Sequence, residues 1–126
     1  MNDQDPKNTN IEIRKVYLAD LNTLIRIYQM KNQRSATQAL TAHFGLPLSV
    51  AICNKEVLGF AAAALNASDE LTVVAHCIKE DHEMGSLLKL QAKKTLEETF
   101  TSIKQDHTPF KNAVQHLLSW LNTCSN

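Results

Sequence analysis

The chain has 126 residues, with 13 basic and 13 acidic side chains, 44% hydrophobic and 6% aromatic content. That length suits one domain with a single core. The cancelled charge gives no basic excess or stripe of the kind that binds nucleic acid. The longest apolar run, 57–65, is far too short to span a bilayer.

The opening MNDQDPKNTN is polar after Met1, so 1–10 reads as a disordered tail without a signal-peptide apolar core, and 11–123 as a single domain. In IEIRKVY, Ile11 and Ile13 are core candidates of a strand. Asp20 is placed to cap a helix carrying Leu21, Leu24, Ile25 and Tyr28 on one stripe. After the polar break KNQR, Ser35 can cap a shorter helix through Phe44, stopped by Gly45 and Pro47.

The stretch VAICNKEVLGFAAAAL poses the main local question, because alanine favours helices over strands. Its return segment is only nine residues long between turn signals and follows the tight connection NKE, so it reads as a hairpin strand. Apolar residues on both faces predict a strand covered on both sides, with alanines allowing close approach. ELTVVAHCI is the next strand, KEDHE a charged turn, and Met84 to Gln105 a long helix striped by Met84, Leu87, Leu88, Ala92, Leu96, Phe100 and Ile103. Thr108 and Pro109 start a last helix lined by Phe110, Val114, Leu117, Leu118 and Leu121. The expected order is β-α-α-β-β-β-α-α.

That order and these segments resemble the GNAT superfamily of acyl-CoA-dependent N-acetyltransferases over about residues 11 to 105. IEIRKVYLADL looks like its opening strand and helix cap, VAICNKEVLGFAAAAL like its central hairpin, and ELTVVAHCIKEDHEMGSLLKLQ like its fourth strand, phosphate loop and third helix. The resemblance implies an α+β, three-layer fold: a mainly antiparallel four-stranded sheet with helices on both faces. It also implies acetyl-CoA as cofactor. The backbone of Ala75, His76, Cys77 and Ile78 would pair with pantetheine, and the N–H groups of Met84, Gly85, Ser86 and Leu87 would hold the diphosphate. Glu70 would be the base that deprotonates the incoming amine.

Two departures from the family pattern point to impaired acyl-CoA binding. Glu80, Asp81 and Glu83 cluster where the diphosphate would sit, each costing roughly 1 kcal/mol at about 4 Å in water; acids in a first helical turn also stabilise the helix by themselves. The segment after Gln105 is too short and polar to supply the family's fifth strand. Leu71–Ile78 is then a long apolar edge, to be covered by a second copy or by the C-terminal helix. The reading is therefore a homodimeric scaffold or binding module, with an active N-acetyltransferase as the alternative.

Other constellations carry less. His76 and Cys77 are strand neighbours pointing to opposite faces, so they cannot form a nucleophile pair. His76 and Glu70 share a face but stand roughly 20 Å apart, leaving His76 as a partly buried or interface residue. No cysteine or histidine spacing matches a zinc ligand pair, so no metal is expected. The odd cysteine count, Cys53, Cys77 and Cys124, fits reduced thiols in the cytoplasm.

Overall fold

The computed structural model describes residues 11–32, 44–66, 68, 70–79 and 81–124. The expected tail at 1–10, Glu80, and the expected short helix from Ser35 (apart from its end at Phe44) lie outside the described residues. The elements are β1 (Ile11–Arg14), a 3₁₀ turn (Leu18–Asp20), α1 (Leu21–Lys31), β2 (Leu46–Cys53), β3 (Glu56–Leu65), β4 (Leu71–Cys77), α2 (His82–Thr99) and α3 (Thr108–Cys124). The fold is α+β, with one antiparallel four-stranded sheet in the order β1-β2-β3-β4. Among the described residues the order is β-α-β-β-β-α-α.

The opening strand is shorter than the seven residues of IEIRKVY, and a polar knot explains why. Arg14 donates twice to the Asp20 carboxylate, at 2.9 and 3.1 Å, and its guanidinium lies 4.4 Å from the Tyr17 ring centroid. Asp20 also accepts the Tyr17 N–H at 2.7 Å. This acid therefore fastens the 3₁₀ turn and makes no side-chain cap to α1, contrary to expectation. On α1 the buried stripe is Leu21, Leu24, Ile27 and Tyr28, with Ile27 taking the place expected for Ile25.

The four alanines lie in a strand. Asn54 and Lys55 close the hairpin with φ of 51° and 70°, the paired positive values of a two-residue turn that matches strand twist. Ala61 and Ala63 then face α2, joining Leu48, Leu88, Ala92 and Leu96 in one core cluster. Phe60 and Ala62 face α1, joining Leu24, Tyr28, Phe44 and Val50 in another. Helices thus cover both faces, and small side chains let α2 approach closely. Gly59 completes this: a Cβ there would stand 2.8 Å from the His76 carbonyl oxygen on β4.

α2 begins at His82, two residues before the expected start, because the Asp81 carboxylate accepts the Met84 N–H and caps it. The Ser49 hydroxyl donates to the Leu88 carbonyl at 2.7 Å and fixes the helix to β2. The helix stops at Thr99, well short of Gln105, where Phe100 leaves helical backbone and sets its ring edge-on to Phe110 at 5.6 Å. Ile103 is still buried, from the turn that follows. α3 packs against β2, with Phe110 and Val114 in the α2-side cluster, Leu121 in the α1-side cluster and Leu118 touching both. Its first turn is held by Asp106, whose carboxylate accepts the Thr108 N–H at 3.0 Å.

Candidate functional site

β4 is one of the two outer strands of the sheet, an edge as the sequence reading expected of Leu71–Ile78. Its seven residues pair with β3 without any register shift, from Leu65↔Leu71 to Gly59↔Cys77. The Ile78 N–H donates to Leu58 at 2.9 Å, which sets the parity of the ladder. Thr72, Val74, His76 and Ile78 turn their backbone groups toward β3, whereas those of Leu71, Val73, Ala75 and Cys77 turn away from it. Of the four residues expected to offer backbone to a ligand, only Ala75 and Cys77 have that orientation. Side chains alternate as well: Val73, Ala75 and Cys77 join the α2-side cluster, and His76 faces α1.

A cavity of about 300 Å³ lies where β4 runs into α2. Ala75, Cys77, Gly85 and Ser86 line it, so half of the eight expected cofactor-contacting residues come together. Lys31, Asp81, His82 and Lys89 complete the wall. Lys89 follows Gly85 by one helical turn, a spacing visible in the sequence, whereas Lys31 arrives from α1 through tertiary packing alone. Among the described residues, neither lysine forms an ion pair. Gly85 faces the Ala75 Cβ, which would lie 3.8 Å from an added methyl group.

The remaining expected residues lie elsewhere. Met84 and Leu87 are on the other side of α2, where they border a second cavity of about 240 Å³ with Ile11, Ile13, Asp81 and Glu83. Glu83 therefore does not line the first cavity, and Asp81 is the carboxylate that does. The Met84 N–H is taken by the Asp81 carboxylate at 3.1 Å and the Gly85 N–H by the Asp81 carbonyl at 2.9 Å. Glu70 precedes β4 at its opposite end, roughly 17 Å along the chain from Ala75. Its carboxylate accepts from Asn66 Nδ2 at 2.9 Å, and its N–H donates to Asn66 Oδ1 at 2.9 Å, closing the β3–β4 connection.

His76 sits in an aromatic cluster. Its ring stacks on Phe60 at 4.9 Å and 28°, and meets Tyr28 edge-on at 5.6 Å and 82°. Tyr28 in turn packs edge-on against Phe44 at 5.2 Å. Burial lowers the His76 pKa, and the nearby Lys31 ammonium lowers it further. Both influences favour the neutral imidazole. Beside it, Val74 and Ile78 remain 45% and 44% exposed.

Among the described residues, no group of three His, Cys, Asp or Glu side chains is arranged to hold a metal ion, and no helix is long and apolar enough to cross a membrane. No family model, no curated protein and no solved structure matches this chain. Chemically, the arrangement offers a strand edge of backbone donors and acceptors, with two ammonium groups beside a polar cavity at one end.

Proposed function

We propose that this chain is a small homodimeric scaffold on a GNAT-like framework, associating through the Leu71–Ile78 edge and binding acyl-CoA poorly. The observation that carries the reading is an edge strand without the usual guards. Leu71–Cys77 contains no lysine, no proline, no charged residue and no bulge, the devices that keep solvent-facing edges from pairing. A second copy suits it better than an unrelated chain. Antiparallel pairing about Val74 sets Val73 opposite Ala75 and Thr72 opposite His76, so bulky residues meet smaller ones and no like charges meet. It also joins outward-turned residues of the two copies in one ladder. Equal numbers of acidic and basic residues impose no net repulsion between copies.

A strand pair alone buries less than the roughly 1,200 Å² of a typical stable interface, so affinity should be on the order of micromolar. Sedimentation equilibrium across that range tests it. The wild type should shift from monomer to dimer, whereas Val74→Lys, which puts a guard charge on the edge, should stay monomeric with its fold intact. A wild type that is monomeric at high concentration refutes the reading.

An N-acetyltransferase is the second reading, favoured by the cavity that gathers Ala75, Cys77, Gly85 and Ser86 with two lysines in its wall. Glu70 would take a proton from the acceptor ammonium, and the freed nitrogen would attack the acetyl thioester and expel the CoA thiolate. The cap on the Met84 N–H and the remoteness of Glu70 count against it. Calorimetry with acetyl-CoA separates the two: micromolar binding supports the enzyme, and silence at millimolar ligand supports the scaffold.

A further inference from the structure

We propose that the β1 edge receives an extended segment of a partner protein, which pairs antiparallel with Ile11–Arg14 and sets an apolar residue opposite Ile13 and a basic residue opposite Ile11. The inference goes beyond the β4 association and does not depend on it, because β1 is the other border of the sheet.

The register fixes which groups β1 offers. Cys77 turns its backbone away from β3, so its partner Gly59 turns toward β2, and Ala51 opposite Gly59 turns toward β3. Ile13 pairs with Ala51 and therefore turns its N–H and C=O outward, as does Ile11 two residues before it. The side chains of Ile11 and Ile13 pack against the α2-side core cluster. They line the cavity of about 240 Å³ together with Met84 and Leu87, and Leu87 is 48% exposed. Outward backbone groups and an open apolar floor thus belong to the same two residues, the combination that strand addition uses.

Charge selects the occupant. Asp81 and Glu83 border the cavity. Among the described residues Glu83 makes no ion pair, and Asp81 engages only Oδ1, on the Met84 N–H. The Lys15–Glu98 contact at 3.8 Å sets the far end of β1 toward the end of α2, so both carboxylates lie at the Ile11 end. Glu12 is exposed and adds a third acid, whereas Arg14 is already neutralised by Asp20. A residue opposite Ile11 points its side chain to the α2 face beside Asp81 and Glu83, and a residue opposite Ile13 points to the same face over Leu87. An apolar residue followed two positions later by lysine or arginine meets both demands. A second copy fits worse: β1 paired with itself about Glu12 sets two like charges opposite each other, and Leu71–Cys77 carries no lysine or arginine.

The test uses the full chain and the peptide acetyl-TVKKT-amide, followed by NMR at single amides. The peptide should shift the Ile11, Ile13 and Leu87 amides and slow exchange at Ile11 and Ile13, with a dissociation constant on the order of 0.1–1 mM. Acetyl-TVEET-amide should bind about tenfold more weakly or worse. Glu83→Gln and Leu87→Gln, both at exposed positions, should each weaken acetyl-TVKKT-amide about threefold with the circular dichroism unchanged. No shift at those amides with millimolar peptide overturns the proposal. Equal binding of the two peptides, or an affinity that neither variant changes, overturns the basic and apolar occupant. Protection at Ile11 and Ile13 that rises with protein concentration alone puts a second copy on this edge and overturns it too.

Discussion

Two glycines bordering β4 make opposite predictions for the same substitution. A methyl group on Gly59 would stand 2.8 Å from the His76 carbonyl oxygen, 3.0 Å from the Cys77 Cα and 3.2 Å from the Cys77 sulfur. Two of those atoms are backbone, so relief requires β4 to retreat by about half an ångström from β3. Overpacking of this kind costs about 1–3 kcal/mol. The entropy gained by replacing glycine returns about half a kcal/mol, so Gly59→Ala should destabilise by about 1.5 kcal/mol. Gly85 is the contrast, because an added methyl meets only the Ala75 Cβ, at the ordinary contact distance of 3.8 Å. Inside α2, Gly85→Ala should stabilise by about 0.5–1 kcal/mol. For a chain of this size 1 kcal/mol moves Tm by about 4 °C. Thermal melts should therefore show Gly59→Ala falling by about 6 °C and Gly85→Ala rising by about 2–4 °C. If Gly59→Ala is neutral, the tight β3–β4 spacing is wrong. A destabilised Gly85→Ala would mean that the helix start is not packed as described.

The anchors of α2 are separable in the same way. Ser49→Ala removes the buried hydroxyl that donates to Leu88 and should cost about 1 kcal/mol in guanidinium denaturation, with an unchanged m value. Asp81→Ala removes the cap on the Met84 N–H and should cost about 1 kcal/mol, read as a Tm lower by about 4 °C. The Arg14 guanidinium holds the Asp20 carboxyl below its ordinary value, aided by the Tyr17 N–H and opposed by burial. Its stabilisation is complete above the ordinary carboxylate range, near pH 3.9, and is lost as pH falls through the lowered value. Asp20→Asn should therefore flatten the acid limb of the stability curve below about pH 4, measured by urea midpoints.

Much of the fold is legible in the chain because local signals agree with tertiary packing. Asn54 and Lys55 between two apolar runs give the hairpin, and the short alanine run between turns is a strand whose faces meet α1 and α2. Boundaries fail where a tertiary contact overrides periodicity. Phe100 and Ile103 continue the helical stripe in sequence, yet the Phe100–Phe110 contact lies beyond the end of α2. Asp20 has a capping residue's identity and position, but Arg14 and the Tyr17 N–H claim it.

The site is legible in part. Ala75 and Cys77 alternate on one face of a strand and Gly85 and Ser86 are adjacent in a helix, so strand and helix geometry suffice to bring them together. Glu83 and Met84 were not separable from Gly85 by spacing alone, since the side of α2 that each presents depends on where the helix starts. Lys31 lies 44 or more positions before Ala75, and no local pattern links α1 to the far end of β4.

Hydrogen exchange at single amides measures the β4 edge most directly. The Thr72 and Val74 amides turn toward β3 and should be protected at every protein concentration. Those of Val73 and Ala75 turn outward, so their protection should be weak in dilute solution and rise as copies pair. Rapid exchange at Val73 and Ala75 that is unaffected by concentration would contradict an edge built to join its own kind.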